Sequence, residues 1–111
     1  MSGTPLNPRV LGVSYRLPIN QSGVGTDILI SGISGLRHYV IGGLVTMDAD
    51  GTLDFLSGSS SLMNAPTFVQ GSGFAWSIGT VQYIETEIGD ALSIVTTGGK
   101  ARGFLRVVTD R

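Results

Sequence analysis

The sequence predicts an all-β protein, an antiparallel sandwich or barrel of about eight strands behind an extended N-terminal arm. Three observations predict it. Seventeen glycines, with clusters of Ser, Asn and Thr, cut the 111 residues into pieces too short for helices. No window of about 11–18 residues carries apolar side chains at i, i+3, i+4 and i+7 without a glycine or a β-branched run through it. Strand-like stretches recur instead about every ten residues, the spacing of a sandwich or barrel.

Pro5, Pro8 and Pro18, three of the four prolines, fall in the first twenty residues, and proline interrupts a sheet ladder. Residues 1–24 therefore read as an arm and 25–111 as the sandwich, with "VLGVSY" (10–15) able to pair along one edge. Val10, Leu11, Val13 and Tyr15 are more apolar than a segment meeting only water requires. The arm is either a frayed tail or a strap that reaches a neighbouring subunit.

The strands follow in order: "DILI" (27–30), "LRHYVIGGLVTM" (36–47), "TLDFLS" (52–57), "TFVQ" (67–70), "FAWS" (74–77), "TVQYIETE" (80–87), "DALSIVTT" (90–97) and "ARGFLRVV" (101–108). In 36–47, Leu36, Val40 and Leu44 oppose Tyr39, Ile41, Val45 and Met47, so neither face is polar. A strand apolar on both faces is expected to be buried on both, the second time against another subunit or the arm. Gly42-Gly43 in its middle marks a bulge or a close backbone approach. Asp50-Gly51 and Gly98-Gly99 carry the strongest short hairpin signal, because type I′ turns need positive φ. In 101–108, Ala101, Gly103, Leu105 and Val107 should face the core with Leu92 and Ile94, while Arg102, Phe104, Arg106 and Val108 point outward. A phenylalanine between two arginines is a composition enriched at protein interfaces; the plainer reading is a solvated face with one stray aromatic.

At this length the chain makes one domain with a modest core. Charged residues are 14% of the chain, against roughly 25% in an average soluble domain, so neutral or apolar surface is left over to meet a partner. The formal net charge of −1 gives no reason to expect a nucleic-acid partner. No apolar run nears the roughly 18 residues of a membrane span, and "MSGTPLNPRV" does not read as a secretory signal. With no cysteine, disulfides and thiolate-bound metals are excluded.

Each motif that hints at chemistry has a plainer explanation. Asp48, Asp50 and Asp54 surround Gly51, but a calcium loop started at Asp48 would have Thr52 at its fifth position and Ser59 at its twelfth. "GGK" lacks the spaced glycine and the following Ser or Thr of a phosphate loop, and "GSGF" (71–74) opens no helix. Lys100 is then a solvated turn residue. His38 is the single histidine and lies within a strand, too few for a histidine-built metal centre and without a nucleophile elbow for a triad. Glu85 and Glu87 share one strand face, whereas glycoside cleavage needs carboxylates facing across a groove. No catalytic, cofactor or metal site is expected, and no enzyme.

From Leu36 onward the order of features resembles a group of small tailed-bacteriophage virion proteins with a jelly-roll fold of the tumour-necrosis-factor type. The stretches that carry the resemblance are "GLRHYVIGG", "LDFLSGS", the "GSGF" segment, "YIETEIGDAL" and "ARGFLRVV". Each is short, and their order and spacing over about residues 25–109 make the likeness; the arm 1–24 lies outside it. The resemblance implies a homotrimeric decoration (cement) protein on the outer surface of the virion capsid, bound to the major capsid protein and stabilising the shell without catalysis or cofactor. Val10, Leu11, Val13, Tyr15, Tyr39, Ile41, Arg102, Phe104 and Arg106 are then the expected contacts. A tail-fibre or baseplate module binding a host glycan is the alternative, with Trp76, Tyr83 and the polar loop 57–64 as its site.

Overall fold

The computed structural model describes residues 14–77 and 84–110, and no helix occurs among them. Ten strands follow one another: β1 (Tyr15–Asn20), β2 (Thr26–Ile30), β3 (Arg37–Met47), β4 (Gly51–Ser57), β5 (Ser60–Ser61), β6 (Thr67–Phe68), β7 (Gly73–Ser77), β8 (Ile84–Glu85), β9 (Leu92–Thr97) and β10 (Ala101–Asp110). They build two antiparallel sheets. The first has the order β1-β10-β3-β7, with β8 also on β3; the second has β2-β9-β4-β5, with β6 also on β4.

The sheets face one another across a single apolar core. Val40, Val45, Met47, Ala101, Leu105 and Val107 of the first sheet meet Leu53, Phe55, Leu92 and Ile94 of the second, each at most 1% exposed. As expected from the alternation in 101–108, Ala101, Leu105 and Val107 point inward. Val108 keeps the outward parity expected of it, pairing with Tyr39, but is buried at 2% exposure.

β3 and β10 run side by side for ten paired residues, and the register slips once, where Arg106 faces Gly42 and Val107 faces Val40. Ile41 is the extra residue of this bulge, beside the two glycines that the sequence marked. A one-residue slip exchanges the faces of a strand. His38 and Val40 point inward before the bulge, and Val45 and Met47 after it. Much of the double-faced apolarity of β3 is therefore a change of parity within one strand. Its second face is not buried along its length, since Leu44 stays 44% exposed.

The two turns expected to be hairpins are corners between the sheets. β3 and β4 belong to different sheets, as do β9 and β10, so neither Asp50-Gly51 nor Gly98-Gly99 joins neighbouring strands. The corners lie against each other, which explains the glycines better than turn type does. A Cβ on Gly51 would stand 1.8 Å from the Thr97 carbonyl oxygen, and one on Gly98 (φ +79) would stand 2.3 Å from that of Asp50. The aspartates hold the corners. Asp48 accepts from the Lys100 amide at 2.7 Å and Asp50 from the Gln70 amide at 2.7 Å.

β1 lies inside the stretch read as an arm and contains Pro18. The ladder tolerates it because β1 is an edge strand. Gln21 N donates to Ala101 O at 3.2 Å, so by alternation the odd residues of β1 turn their backbone groups towards β10 and Pro18 turns its nitrogen outward. Ile19 enters the core. Behind it, buried Gln21 ties the sheets together. Its Oε1 accepts from Thr96 Oγ1 at 2.8 Å and from Ala101 N at 2.9 Å, and its Nε2 donates to Gly25 O at 3.1 Å.

Other expected strands are shorter. β6 keeps Thr67–Phe68, and residues 69–72 form a turn closed by Ser72 N to Val69 O. Of 80–87, residues 80–83 lie outside the described part and only Ile84–Glu85 pair with β3.

Candidate functional site

The outward face of the first sheet is where the strand registers bring the expected contact residues together. Pairing aligns residues across the strands into rows. One row reads Pro18, Phe104, Leu44, Ala75 across β1, β10, β3 and β7. Beside it run Arg16, Arg106, Gly42, Ser77 on one side and Asn20, Arg102, Thr46, Gly73 on the other. A largely apolar band is thus flanked on both sides by arginines. Pro18 and Leu44 are exposed and Phe104 is half-buried.

The charges are arranged with few partners. The Arg16 guanidinium lies 5.0 Å from the centroid of the Phe104 ring, a cation–π contact between diagonal neighbours of the ladder. Arg106 Nη2 donates to Ser14 Oγ at 2.9 Å. The ion pairs among the described residues are Arg37–Glu85 at 2.7 Å and the looser Lys100–Asp48 at 4.0 Å, and neither neutralises Arg16, Arg102 or Arg106. Further along the face, Tyr39 is half-buried between Val108 and Glu85.

Of the residues expected at an interface, Arg102, Phe104, Arg106 and Tyr39 share this face, and half-buried Ile41 sits at the bulge. Val10, Leu11 and Val13 lie outside the described residues; for Tyr15 the backbone pairs with Val107 and the side chain is not described. Trp76 is in register with Gly43 by its backbone, and Tyr83 lies outside the described residues. Sequence reasoning missed Arg16 and did not set Leu44 beside Phe104. The alternation of "YRLPIN", with Leu17 and Ile19 on one parity, was available to place Arg16 outward; prolines nearby obscured it.

The polar residues that hinted at chemistry are held in structural hydrogen bonds. His38 is fully buried, with Nδ1 2.8 Å from Thr109 Oγ1 and Nε2 2.9 Å from Ser31 O. Because a carbonyl only accepts, Nε2 is the donor to Ser31 O. Asp54 is 3% exposed, accepts from Ser61 Oγ at 2.5 Å and Met63 N at 2.9 Å, and so pins the loop after β5 to the second sheet. Asn64 and Ala65 in that loop both adopt positive φ. Ser57 donates to Asp90 at 2.7 Å and accepts from Glu87 N at 2.8 Å, joining two turns at one end of the domain. Among the described residues no group of three or more His, Asp or Glu is placed to hold a metal ion.

The fold and this face define a class: an all-β domain of two packed antiparallel sheets, one carrying a band of apolar and guanidinium groups on its outside. Comparison with protein-family models, curated proteins and solved structures gave no match.

Proposed function

We propose that this protein is a structural, non-enzymatic assembly component: a jelly-roll domain that forms a homotrimer and decorates the outside of a bacteriophage capsid, bound to the major capsid protein. The observation that carries the assembly reading is the outward face of the first sheet, where Pro18, Phe104 and Leu44 align between rows of arginine that no carboxylate of the described residues neutralises. Apolar groups with arginine at the centre and little other charge are what interface cores select. The jelly-roll reading is supported by the strand orders. Successive strands alternate between the sheets from β1 to β4 and again from β8 to β10, as two interlocked Greek keys require. The place on a capsid comes from the sequence resemblance.

A decoration protein stabilises a shell by linkage, since a ligand of the assembled state alone shifts the equilibrium towards it. Three copies of one weak contact on a trimer gain further by effective concentration. Two measurements test the reading. Light scattering of the purified protein should give three times the chain mass, and a stable monomer at micromolar concentration overturns the trimer. Mixing with undecorated capsids should give co-sedimentation and a higher capsid melting temperature. A protein that leaves both unchanged is no cement protein.

A further inference from the structure

β2 is an edge strand: it pairs with β9 and, among the described residues, with no other strand. Thr96 N donates to Gly25 O at 2.9 Å, so by alternation Gly25 and Asp27 turn their backbone groups towards β9, while Thr26 and Ile28 turn theirs outward. The register shift between Ile28 and Ile30 ends this free row. Ile28 is 66% exposed, and Val24, just before the strand, is 53% exposed. A short run of β-branched and aliphatic residues with free amides and carbonyls is a template for another strand. β1, the edge of the other sheet, is blunted by Pro18, whereas β2 has neither proline nor lysine. Its one charged residue is Asp27. Asp27 is in register with Ile94, which pairs in turn with Phe55; both are fully buried, so the aspartate belongs to the core-facing row. At the rim of the sandwich it stays exposed. Among the described residues its carboxylate forms no ion pair and accepts no hydrogen bond. The charge holds nothing in its own domain.

We propose that Asp27 keeps β2 from pairing with a second copy of this chain. The register of that pairing follows from the free groups. Only Thr26 and Ile28 are open, and an antiparallel copy satisfies both when Thr26 faces the partner's Ile28 and Ile28 faces the partner's Thr26. The two-fold axis of this arrangement passes through Asp27 and sets it against the partner's Asp27. Flanked by hydrogen-bonded pairs, the two aspartates occupy the alternate pairing, in which facing side chains approach most closely, with Cβ atoms about 4.5–5.5 Å apart. Like charges are destabilising there, and closing the seam also strips water from both carboxylates. An inward-pointing charge is one of the devices by which sheet edges are kept from pairing. A strand of another protein need not place an acid at this position, so the device acts against the chain's own copies. The proposal goes beyond the assembly reading and does not rest on it, since β2 belongs to the second sheet and the arginine-flanked face to the first.

Asp27→Asn removes the charge and keeps the shape; Asp27→Glu keeps the charge. Light scattering from micromolar to millimolar protein in low-salt buffer reads the mass, and amide hydrogen exchange locates the contact. Asp27→Asn should self-associate at least about tenfold more tightly than the wild type and approach twice its mass. As it does so, the Thr26 and Ile28 amides, fast to exchange in the wild type, should become protected. Asp27→Glu should follow the wild type in both measurements. Dilute Asp27→Asn should melt with the wild type, because the carboxylate makes no contact in its own domain. Asp27→Asn with the wild-type mass at every concentration overturns the proposal. So does association that leaves the Thr26 and Ile28 amides fast, since the contact then lies elsewhere, and so does Asp27→Glu associating as Asp27→Asn does. A markedly lower melting point of Asp27→Asn gives the carboxylate a structural role and overturns it too. A wild-type monomer removes the trimer of the assembly reading and leaves the comparison between the variants intact.

Discussion

Gln21 offers the sharpest test of how the two sheets are held together. Its side chain is 3% exposed and satisfies three groups: the Ala101 amide, the Thr96 hydroxyl and the Gly25 carbonyl. Replacing it with leucine keeps the bulk and removes every partner. The Ala101 amide sits on a fully buried residue, out of reach of water. A buried donor or acceptor left unpaired costs about 1–3 kcal/mol, and a carbonyl is the most forgiving of the three because it is under-satisfied more often than an amide. Gln21→Leu should therefore lose about 2–5 kcal/mol in chemical denaturation. At this chain length that is a drop in melting temperature of roughly 8–20 °C. Thr96→Val removes one of the same bonds, so the double mutant should cost less than the sum of the singles, with a coupling of about 0.5–3 kcal/mol. Gln21→Glu separates geometry from charge. It keeps the acceptor, loses the donor to Gly25 O, and buries a carboxylate facing a carbonyl, which raises its folded pKa above the unfolded value. The protonated form is then the one that folding favours. The variant's stability should be greatest below the unfolded carboxyl pKa and fall as pH rises through the folded one, so its deficit against wild type is largest near neutrality. A Gln21→Leu protein within about 0.5 kcal/mol of wild type, or singles that simply add, would refute the staple.

Other predictions follow from single contacts. Gly51→Ala should cost about 2–4 kcal/mol, because its Cβ meets a backbone oxygen at 1.8 Å, whereas Gly23→Ala, with nothing within 4 Å and no positive φ, should be neutral or gain about 0.4–1 kcal/mol; denaturant titration of both checks the contrast. Asp54→Ala should release the loop after β5, costing about 1–3 kcal/mol and opening residues 61–65 to limited proteolysis at rates the wild type does not show. Pro18→Val should leave monomer stability within about 0.5 kcal/mol yet expose an outward amide on an edge strand, so aggregation during refolding should increase. Leu44→Asp should leave the fold intact by circular dichroism while abolishing any oligomer seen by light scattering.

The amino-acid pattern alone was sufficient for an all-β fold and for the position of most of its strands along the chain. Alternation in 101–108 placed Ala101, Leu105 and Val107 in the core, and the glycine pair at 42–43 marked a bulge or a close backbone approach, beside which the register does slip. These are local properties, set by the period of a strand and the backbone freedom of glycine. The sequence also pointed to Arg102, Phe104 and Arg106 as one outward face. It could not supply their neighbours, because a row across a sheet is made of residues from four separate strands and only the registers align them. Arg16 reaches Phe104 from a stretch read as an arm, in which 10–15 alone was given a possible edge pairing; an edge position excuses Pro18, and being at an edge is a fact of topology. Leu44 joins the same row only after the bulge has exchanged the faces of β3. The corners at Gly51 and Gly98 carry the residues of hairpins, yet each leads from one sheet to the other. Turn chemistry specifies how sharply the backbone reverses. Which sheet receives the next strand is decided by where its apolar face finds a core, and that is settled only when the two sheets close on each other.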